Sequence, residues 1–333
     1  MYILAFESSC DETACAVLEM GDGKRIIKSN IIASSVDIQA LYGGVVPEIA
    51  SRAHVEAISK ITYDALSKAD VTLKDISAVC VTNGPGLIGA LLVAVNFAKS
   101  LAFANNIPLV PVDHIKGHVA ANYLTHTSLE PPFLALVVSG GHTSFFDVSS
   151  YTDMREIAST RDDAAGECFD KIGRVMGLPY PGGQAMDILA SKGDKNAVSF
   201  PSPAINNETL DFSFSGLKTA VINYLNTKRQ KDEAVNSADI AASFTRTVVD
   251  AVRSKIGEAL RRTGYNKVVL AGGVSANSHL RTGITEECKL HGAEFYAPTL
   301  SLCGDNAAMI GAQGYYEFLN GARADESLNA YPS

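Results

Sequence analysis

One pattern occurs twice in this chain and restricts its fold more than any other feature. An apolar run enters a short polar turn and returns as a second apolar run, first in AFESSCDETACAV and again in VVSGGHTSFFDV. A second motif also recurs: VCVTNGPGLIG and VVLAGGVSAN each read as a buried strand, a Gly-rich turn and a helix start. Recurrence over this distance predicts a duplicated α/β unit and not an array of short repeats. The 333 residues suffice for two or three domains. Two lobes of one design would leave a cleft between them, and ligand sites gather at domain junctions and beyond the carboxyl ends of strands. The competing reading is two unrelated α/β domains with similar punctuation.

The elements follow from apolar spacing. Met1–Glu7, Ala14–Met20 and Arg25–Ala33 read as strands. Pro47–Ala69 reads as a helix with Ile49, Ala53, Ala57, Ile61 and Ala65 turned inward and Pro47 in the tolerant first turn. Strands are predicted at Ile76–Thr82, Leu109–Val112, Phe133–Ser139, Ser144–Val148 and Val268–Ala271. Helices are predicted near Leu87–Ala104, Ala164–Met176, Gln184–Ser191, Leu217–Asn226, Ala238–Arg262, Ala276–His291 and Asp305–Leu319. The expected lobes are 1–112 and 113–304, with the segment from 305 packing back onto the first.

Composition narrows the class. With 47% hydrophobic and 19% charged residues, the chain can bury a large core and does not read as disordered. Its formal charge of −8 argues against coating nucleic acid by charge alone, though a local patch could still hold such a substrate. Cys10, Cys15, Cys80, Cys168, Cys288 and Cys303 form no C-x-x-C pair, which predicts reduced thiols in a cytoplasmic protein. The start MYILAFESSCDE lacks a basic region and turns acidic at Asp11, unlike a signal peptide. The apolar stretch from Leu87 to about Ala98 falls short of the roughly 20 residues of a membrane span, so no membrane association is expected.

Several short motifs could carry chemistry. His114 and His118 stand four apart in HIKGH, on one face if helical and close enough to share a metal, with Asp113 as N-cap. The same pair could equally be two hydrogen-bonded histidines. A metalloprotease would need Glu after the first histidine, and Ile115 is there. Asp305 is the best third ligand, unless it only caps a helix. Ser139, Gly140, Gly141 and Thr143 could form an anion nest or an ordinary hairpin turn. The matching Ser8–Thr13 turn carries Asp11 and Glu12, which suggests a metal-bridged or base role and not direct anion contact. Asn277, after Gly272 and Gly273, could meet a base or ribose. Asp170 lies on a helix after Asp162-Asp163, Gly183 opens the next helix and Asp187 stands one turn on; ligand contact and capping are both open for these. The window Lys218–Arg262 holds nine basic and five acidic residues, a phosphate-binding face or a solvated helix surface.

Together these blocks resemble the universal tRNA threonylcarbamoyl-adenosine transferase (TsaD) family in its bacterial branch. The resemblance runs through FESSCDET, GGVVPEIASRAH, NGPGLIGALLVA, HIKGH, LVVSGGHT, DDAAGECFDKIGR, PYPGGQAMD, FSFSGLKTA, LAGGVSAN and LCGDNAAMIG, in the family's order and across nearly the whole chain. It implies a duplicated two-lobe actin/hexokinase/heat-shock-chaperone-like (ASKHA) α/β fold with an inter-lobe cleft. It also implies an acyltransferase. The threonylcarbamoyl group would pass from threonylcarbamoyl-AMP to N6 of the adenosine beside the anticodon in tRNAs reading ANN codons, and AMP would leave. By the family pattern His114, His118 and Asp305 hold one divalent metal, iron or zinc. Val137, Val138, Ser139, Gly140, Gly141, Asp170, Gly183, Asp187 and Asn277 line the adenylate. Asp11 and Glu12 take the acidic catalytic positions. Implied partners are tRNA, a TsaB-type paralogue and a TsaE-type ATPase.

Three other readings compete. A sugar kinase or ATPase of the same fold group would leave the histidine pair without a task, and no sugar-site Asp motif is evident. A metallopeptidase lacks its base at Ile115. A non-catalytic binding subunit would be expected to have lost the two histidines and Asp305.

Overall fold

The six residues YILAFE form β1 (Tyr2–Glu7), the strand around which the first sheet is built. It is followed by β2 (Glu12–Gly21), β3 (Lys24–Ser34), α1 (Val36–Ala40), α2 (Pro47–Ala69), β4 (Ile76–Gly84), α3 (Ile88–Asn105), β5 (Leu109–Asp113) and α4 (His114–Thr125). The second sheet and its helices comprise β6 (Phe133–Val138), β7 (Thr143–Val148), β8 (Met154–Ser159), α5 (Ala165–Val175), α6 (Gly182–Ala190), α7 (Ser215–Gln230), α8 (Ser237–Thr263), β9 (Lys267–Ala271), α9 (Ser278–Leu290) and β10 (Glu294–Tyr296). α10 (Ala307–Leu319) follows. This computed structural model describes residues 1–205 and 208–332.

The chain divides into two units, one of Met1–Pro131, Ser150–Met154 and the segment from Pro298, the other of Pro132–Ser149 and Arg155–Ala297. The break expected after residue 112 is therefore displaced. α4 stays with the first unit because it packs on α10, whose glycines in turn press on the first sheet. A Cβ on Gly311 would come within 2.6 Å of Leu18, and one on Gly314 within 2.3 Å of the Cys80 sulfur. Alternation along β1 explains the layering. Leu4 and Phe6 join the cluster formed with α2 and α3, while Ala5 faces α10.

The first sheet runs β3-β2-β1-β4-β5, with β1–β2 and β2–β3 antiparallel and β1–β4 and β4–β5 parallel. The second runs β10-β9-β6-β7-β8, with β6–β7 antiparallel and β6–β9 and β9–β10 parallel. Read from the meander outward, the two orders are identical. The short or polar strands β8 and β10, and helix α1, escape an apolar-pattern reading.

Two further expectations change. In α2 the buried positions are Ala50, His54, Ile58, Ile61, Thr62, Ala65 and Ala69, one residue off the expected stripe in its first half. The stripe turns because His54 is drawn inward by polar partners on the Ser8–Thr13 turn. α3 is 18 residues long with mean hydropathy 1.5, enough by length and composition to cross a membrane. Its Ala94, Val95, Ala98 and Ala102 are instead core residues of the first unit.

Candidate functional site

β5 ends at Asp113 and α4 starts at the next residue, so the strand register fixes the first helical turn. Asp113 Oδ1 accepts from the amides of Ile115 at 2.8 Å and Lys116 at 3.0 Å, the capping expected of it. His114 and His118 then share a face. Between them Gly117 lets α4 approach α10: a Cβ there would lie 2.6 Å from Ile310 Cδ1. Asp305, two residues before α10, reaches the same point. Its Oδ1 is 3.2 Å from His118 Nε2 and 3.6 Å from His114 Nε2. The two rings stand 4.6 Å apart at 77°, and one ligand atom from each residue lies within 4.8 Å of the others.

The donor set fits a cation. His118 is 1% exposed; its Nε2 faces Asp305 Oδ1, and among the described residues its Nδ1 has no hydrogen-bond partner. Coordination through Nε2 would hold this buried ring and the carboxylate on one cation. Two imidazole nitrogens and a carboxylate oxygen suit zinc or iron. Because all three residues belong to the first unit, the arrangement does not require ligands from both lobes, as the expected boundary did.

The supports of His114 were not legible in its own motif. Its Nδ1 lies 3.1 Å from Glu7 Oε2 and 3.2 Å from Ser9 Oγ. Glu7 ends β1 fully buried, and its carboxylate also accepts from the Ser9 amide and the Thr82 hydroxyl, each at 2.5 Å. A carboxylate on the far nitrogen is the usual second partner of a metal-ligating histidine. Burial alone would depress the His114 imidazole, but Glu7 and then Asp305 override it and raise its pKa to about 9. Burial also works against the Glu7 carboxylate, yet His114 holds it below its ordinary value. The point between these carboxylates therefore attracts positive charge. The only sequence signal for Glu7 was an acid closing an otherwise apolar strand.

Asp11 and Glu12 sit in the turn before β2. His54, on α2 and fully buried, clasps that turn with Nε2 3.0 Å from the Cys10 carbonyl and Nδ1 2.7 Å from the Thr13 hydroxyl. The Ser35 amide and hydroxyl donate to the Asp11 carbonyl at 3.0 and 2.8 Å. Glu12 is pushed up to about 10 by burial, by its hydrogen bond with Asp11 and by the charge of Asp305. The acid at Glu12 is thus held in a different environment from an ordinary surface carboxylate.

In the second unit the remaining candidates lie on successive turns in contact. Val137 and Val138 end β6. Ser139 O accepts from the Gly166 amide at 3.2 Å, and a Cβ on Gly166 would meet that oxygen at 2.5 Å. Gly272, at φ +88°, approaches Val138 so closely that a Cβ would lie 2.4 Å from its carbonyl. Gly140 and Gly141 have open space around their Cβ positions. Asp170 Oδ1 accepts from Gly182 N at 2.7 Å and Gly183 N at 3.3 Å. The Asp187 carboxylate takes the Ser278 amide at 3.1 Å and His279 Nδ1 at 2.7 Å. Asn277 Oδ1 caps α9 through the Leu280 amide at 2.8 Å. Each of these polar groups thus holds a helix start, and the turns carrying α5, α6 and α9 are fixed to one another. His279 and the buried Ser275 hydroxyl, which has no partner, gave no sequence signal.

The basic window is largely neutralised in place. Lys218 pairs with Asp163, Lys228 with Glu233, Arg246 with Asp250, Arg253 with Glu286, and Arg261 and Arg262 with Glu258. Lys255 is buried and donates to the carbonyls of Ile205 and Thr209.

Residues 26–312 match the family described as TsaD, tRNA N6-adenosine threonylcarbamoyltransferase. A protein of that name from Clostridioides difficile strain 630 is 52% identical over 99% of this chain and 97% of its own length. Another from Clostridium perfringens strain ATCC 13124 is 50% identical, again over 99% of this chain and 97% of its own length. Among solved structures, full-length HypF superposes with TM-score 0.62 at 17% identity, over 94% of this chain and 45% of HypF. Component A of the (R)-2-hydroxyglutaryl-CoA dehydratase of Acidaminococcus fermentans gives 0.55 at 15% identity, over 95% and 98%. The fold is of the ASKHA type.

Proposed function

Since the chain belongs to the tRNA N6-adenosine threonylcarbamoyltransferase family and is a transferase, we propose that its substrates are threonylcarbamoyl-AMP and the adenosine beside the anticodon in tRNAs that read ANN codons. N6 of that adenosine attacks the carbamoyl carbon. A C–N bond forms, the anhydride C–O bond breaks, AMP leaves with the electron pair, and N6 gives up a proton. The observation that carries this reading is the His114–His118–Asp305 triangle, with both imidazoles buried and turned to one carboxylate.

His114, His118 and Asp305 would hold one iron or zinc ion, with Glu7 and Ser9 orienting His114. A bound divalent cation supplies Lewis-acid polarisation of a phosphoryl or carbamoyl oxygen. The chain's own residues supply the rest. The turns ending in Ser139–Gly141, Gly183 and Asn277 would take the adenylate, with the open space around Gly140, Gly141 and Gly183 allowing its close approach. Asp187, held by Ser278 and His279, and Asp170 would set those turns in place. Adenosine N6 is a weak nucleophile because its lone pair is delocalised, so rate rests on positioning and on stabilising the leaving phosphate. Asp11 is the proton acceptor of choice, with Glu12 beside it raised by burial and by the neighbouring acids Asp11 and Asp305.

Affinity for tRNA is supported only weakly by this surface: the chain carries −8, and most of its basic window is paired internally. A TsaB-type paralogue would supply further basic surface, a TsaE-type ATPase would drive turnover, and the assembly would work in the cytoplasm. Mass analysis of tRNA incubated with this protein, both partners and the adenylate tests the reading. The expected product is one threonylcarbamoyl adduct on the adenosine beside the anticodon, with one AMP released. AMP release without tRNA modification would overturn it.

A further inference from the structure

After α10 the chain does not leave the first unit. Ala324 N donates to the Leu109 carbonyl at 2.9 Å, and Lys99 Nζ holds the carbonyls of Glu326 at 3.3 Å and Leu328 at 2.9 Å. Ala324, Leu328 and Ala330 pack against the core formed by α2, α3 and the sheet. This strap delivers Tyr331 to two supports of the His114 site. Its amide donates to the Asn83 carbonyl at 2.9 Å, and its ring lies over Gly84 so closely that a Cβ there would fall 2.6 Å from it. Its hydroxyl donates to Asp113 Oδ2 at 2.9 Å.

Both contacts lead to His114. Asp113 uses its other oxygen, Oδ1, to cap the α4 turn on which His114 stands. Gly84 opens the Gly84–Gly86 turn, whose Gly86 abuts Ser9: a Cβ there would be 2.7 Å from the Ser9 carbonyl. Leu87 N donates to that carbonyl at 2.8 Å, and Ser9 Oγ touches His114 Nδ1 at 3.2 Å. A carboxylate with one oxygen fixed by a phenol presents the other to the helix with less freedom to rotate. We propose that Tyr331 is a positioning residue of the metal centre, setting the α4 N-cap through its hydroxyl and the Gly84–Gly86 turn through its ring. This rests on the metal-dependent reading above and extends it to the carboxyl-terminal strap.

The test compares the full chain with Tyr331→Phe, which keeps the ring, and Tyr331→Ala, which removes both contacts. Two quantities are read: Zn(II) affinity by chelator competition, and amide exchange at Ile115 and Lys116 in metal-free protein. Loss of one hydrogen bond behind a metal ligand predicts affinity about three- to tenfold weaker for Phe, and about ten- to thirtyfold weaker for Ala. Exchange at both amides rises in both variants. With Asp113→Asn in the background, Tyr331→Phe should cost less than it does alone, because the shared hydrogen bond is already perturbed. Transfer assays should show a lower kcat and an unchanged KM for tRNA. Zn(II) affinity within twofold of the parent in both variants, with unchanged exchange, overturns the role of Tyr331. A parent chain that takes up no Zn(II) or Fe(II) overturns the metal reading instead, and faster exchange in the variants would then reduce the strap to a helix support.

Discussion

The two sheets make the same turn at the same place and furnish it differently. In the first unit the turn after β1, Ser8–Asp11, is polar and acidic. It is clasped by His54 from α2 and backed by Glu7, which reaches His114. In the second, the turn after β6 has two glycines with open Cβ positions and is backed by the starts of α5 and the Gly272 turn. Strand order is shared because each sheet is built outward from an apolar central strand, β1 or β6, buried along nearly all its length. The turn residues, which the core does not constrain, are free to take up separate chemistry. One unit gathers carboxylates and imidazoles around a point that attracts positive charge; the other leaves open glycines on turns backed by capped helix starts.

If that division is right, damage to one unit should leave the other's chemistry measurable. The largest effect is expected from His118→Ala, which removes a ligand. Metal affinity should fall by more than about a hundredfold, beyond the usual loss from outer-shell changes, and tRNA modification should vanish with it, read by metal analysis and mass spectrometry. Glu7→Gln comes next. It keeps the shape of the buried acid but takes away the charge beside His114, and should weaken metal binding by about ten- to a hundredfold. Gly166→Ala tests the other side. Its new Cβ meets the Ser139 carbonyl, an overpacking that costs about 1–3 kcal/mol. Adenylate affinity and transfer should drop while metal content stays at the parent level, and a parallel loss of metal would break the proposed separation.

A smaller and graded effect concerns acid. Burial holds the His54 imidazole below its ordinary pKa. The unfolded chain therefore binds the extra proton first, and stability is lost as pH falls through about 6.5, no more steeply than about 1.4 kcal/mol per unit for one proton. Asp163 behaves oppositely. Burial raises it, but Lys218 and Lys171 bring it below the usual carboxylate range, so the stability it contributes is complete above about pH 3.8 and fades only in stronger acid. Between urea melts at pH 7.5 and 5.5 the parent should lose stability relative to His54→Gln and keep a constant difference from Asp163→Asn, a comparison that removes the opposite contributions of His114 and Glu12. The smallest change is expected from Arg246→Ala, whose half-exposed pair with Asp250 contributes about 0–1 kcal/mol. Melting temperature and metal content should barely move.

The sequence was informative where local chemistry suffices. Helix Pro47–Ala69, the Asp113 cap, the i, i+4 histidines and Asp305 as their third partner could all be read before any coordinates, because spacing on a helix and capping act within a few residues. Half of the α2 stripe misled, since Ile49, Ala53 and Ala57 are more apolar than His54, yet His54 is buried on hydrogen bonds to Thr13 and Cys10, more than 40 residues back along the chain. Asp170 and Asp187 were legible as helix residues open to capping, but their partners 12 to 92 residues away were not. β8 and β10 were missed because edge strands bury little and show no apolar run.

By itself the sequence determined the duplicated α/β design, the family and the three donor residues, all consequences of residue type and short spacing. Tertiary structure alone decided that the donors converge within one unit, that Glu7 stands behind His114, that burial and neighbouring acids raise Glu12, and that Tyr331 returns to Asp113. Those outcomes depend on burial and on contacts between distant segments. They exist only when glycines such as Gly117, Gly311 and Gly314 let helices close to within an atom's width of one another and of the sheet.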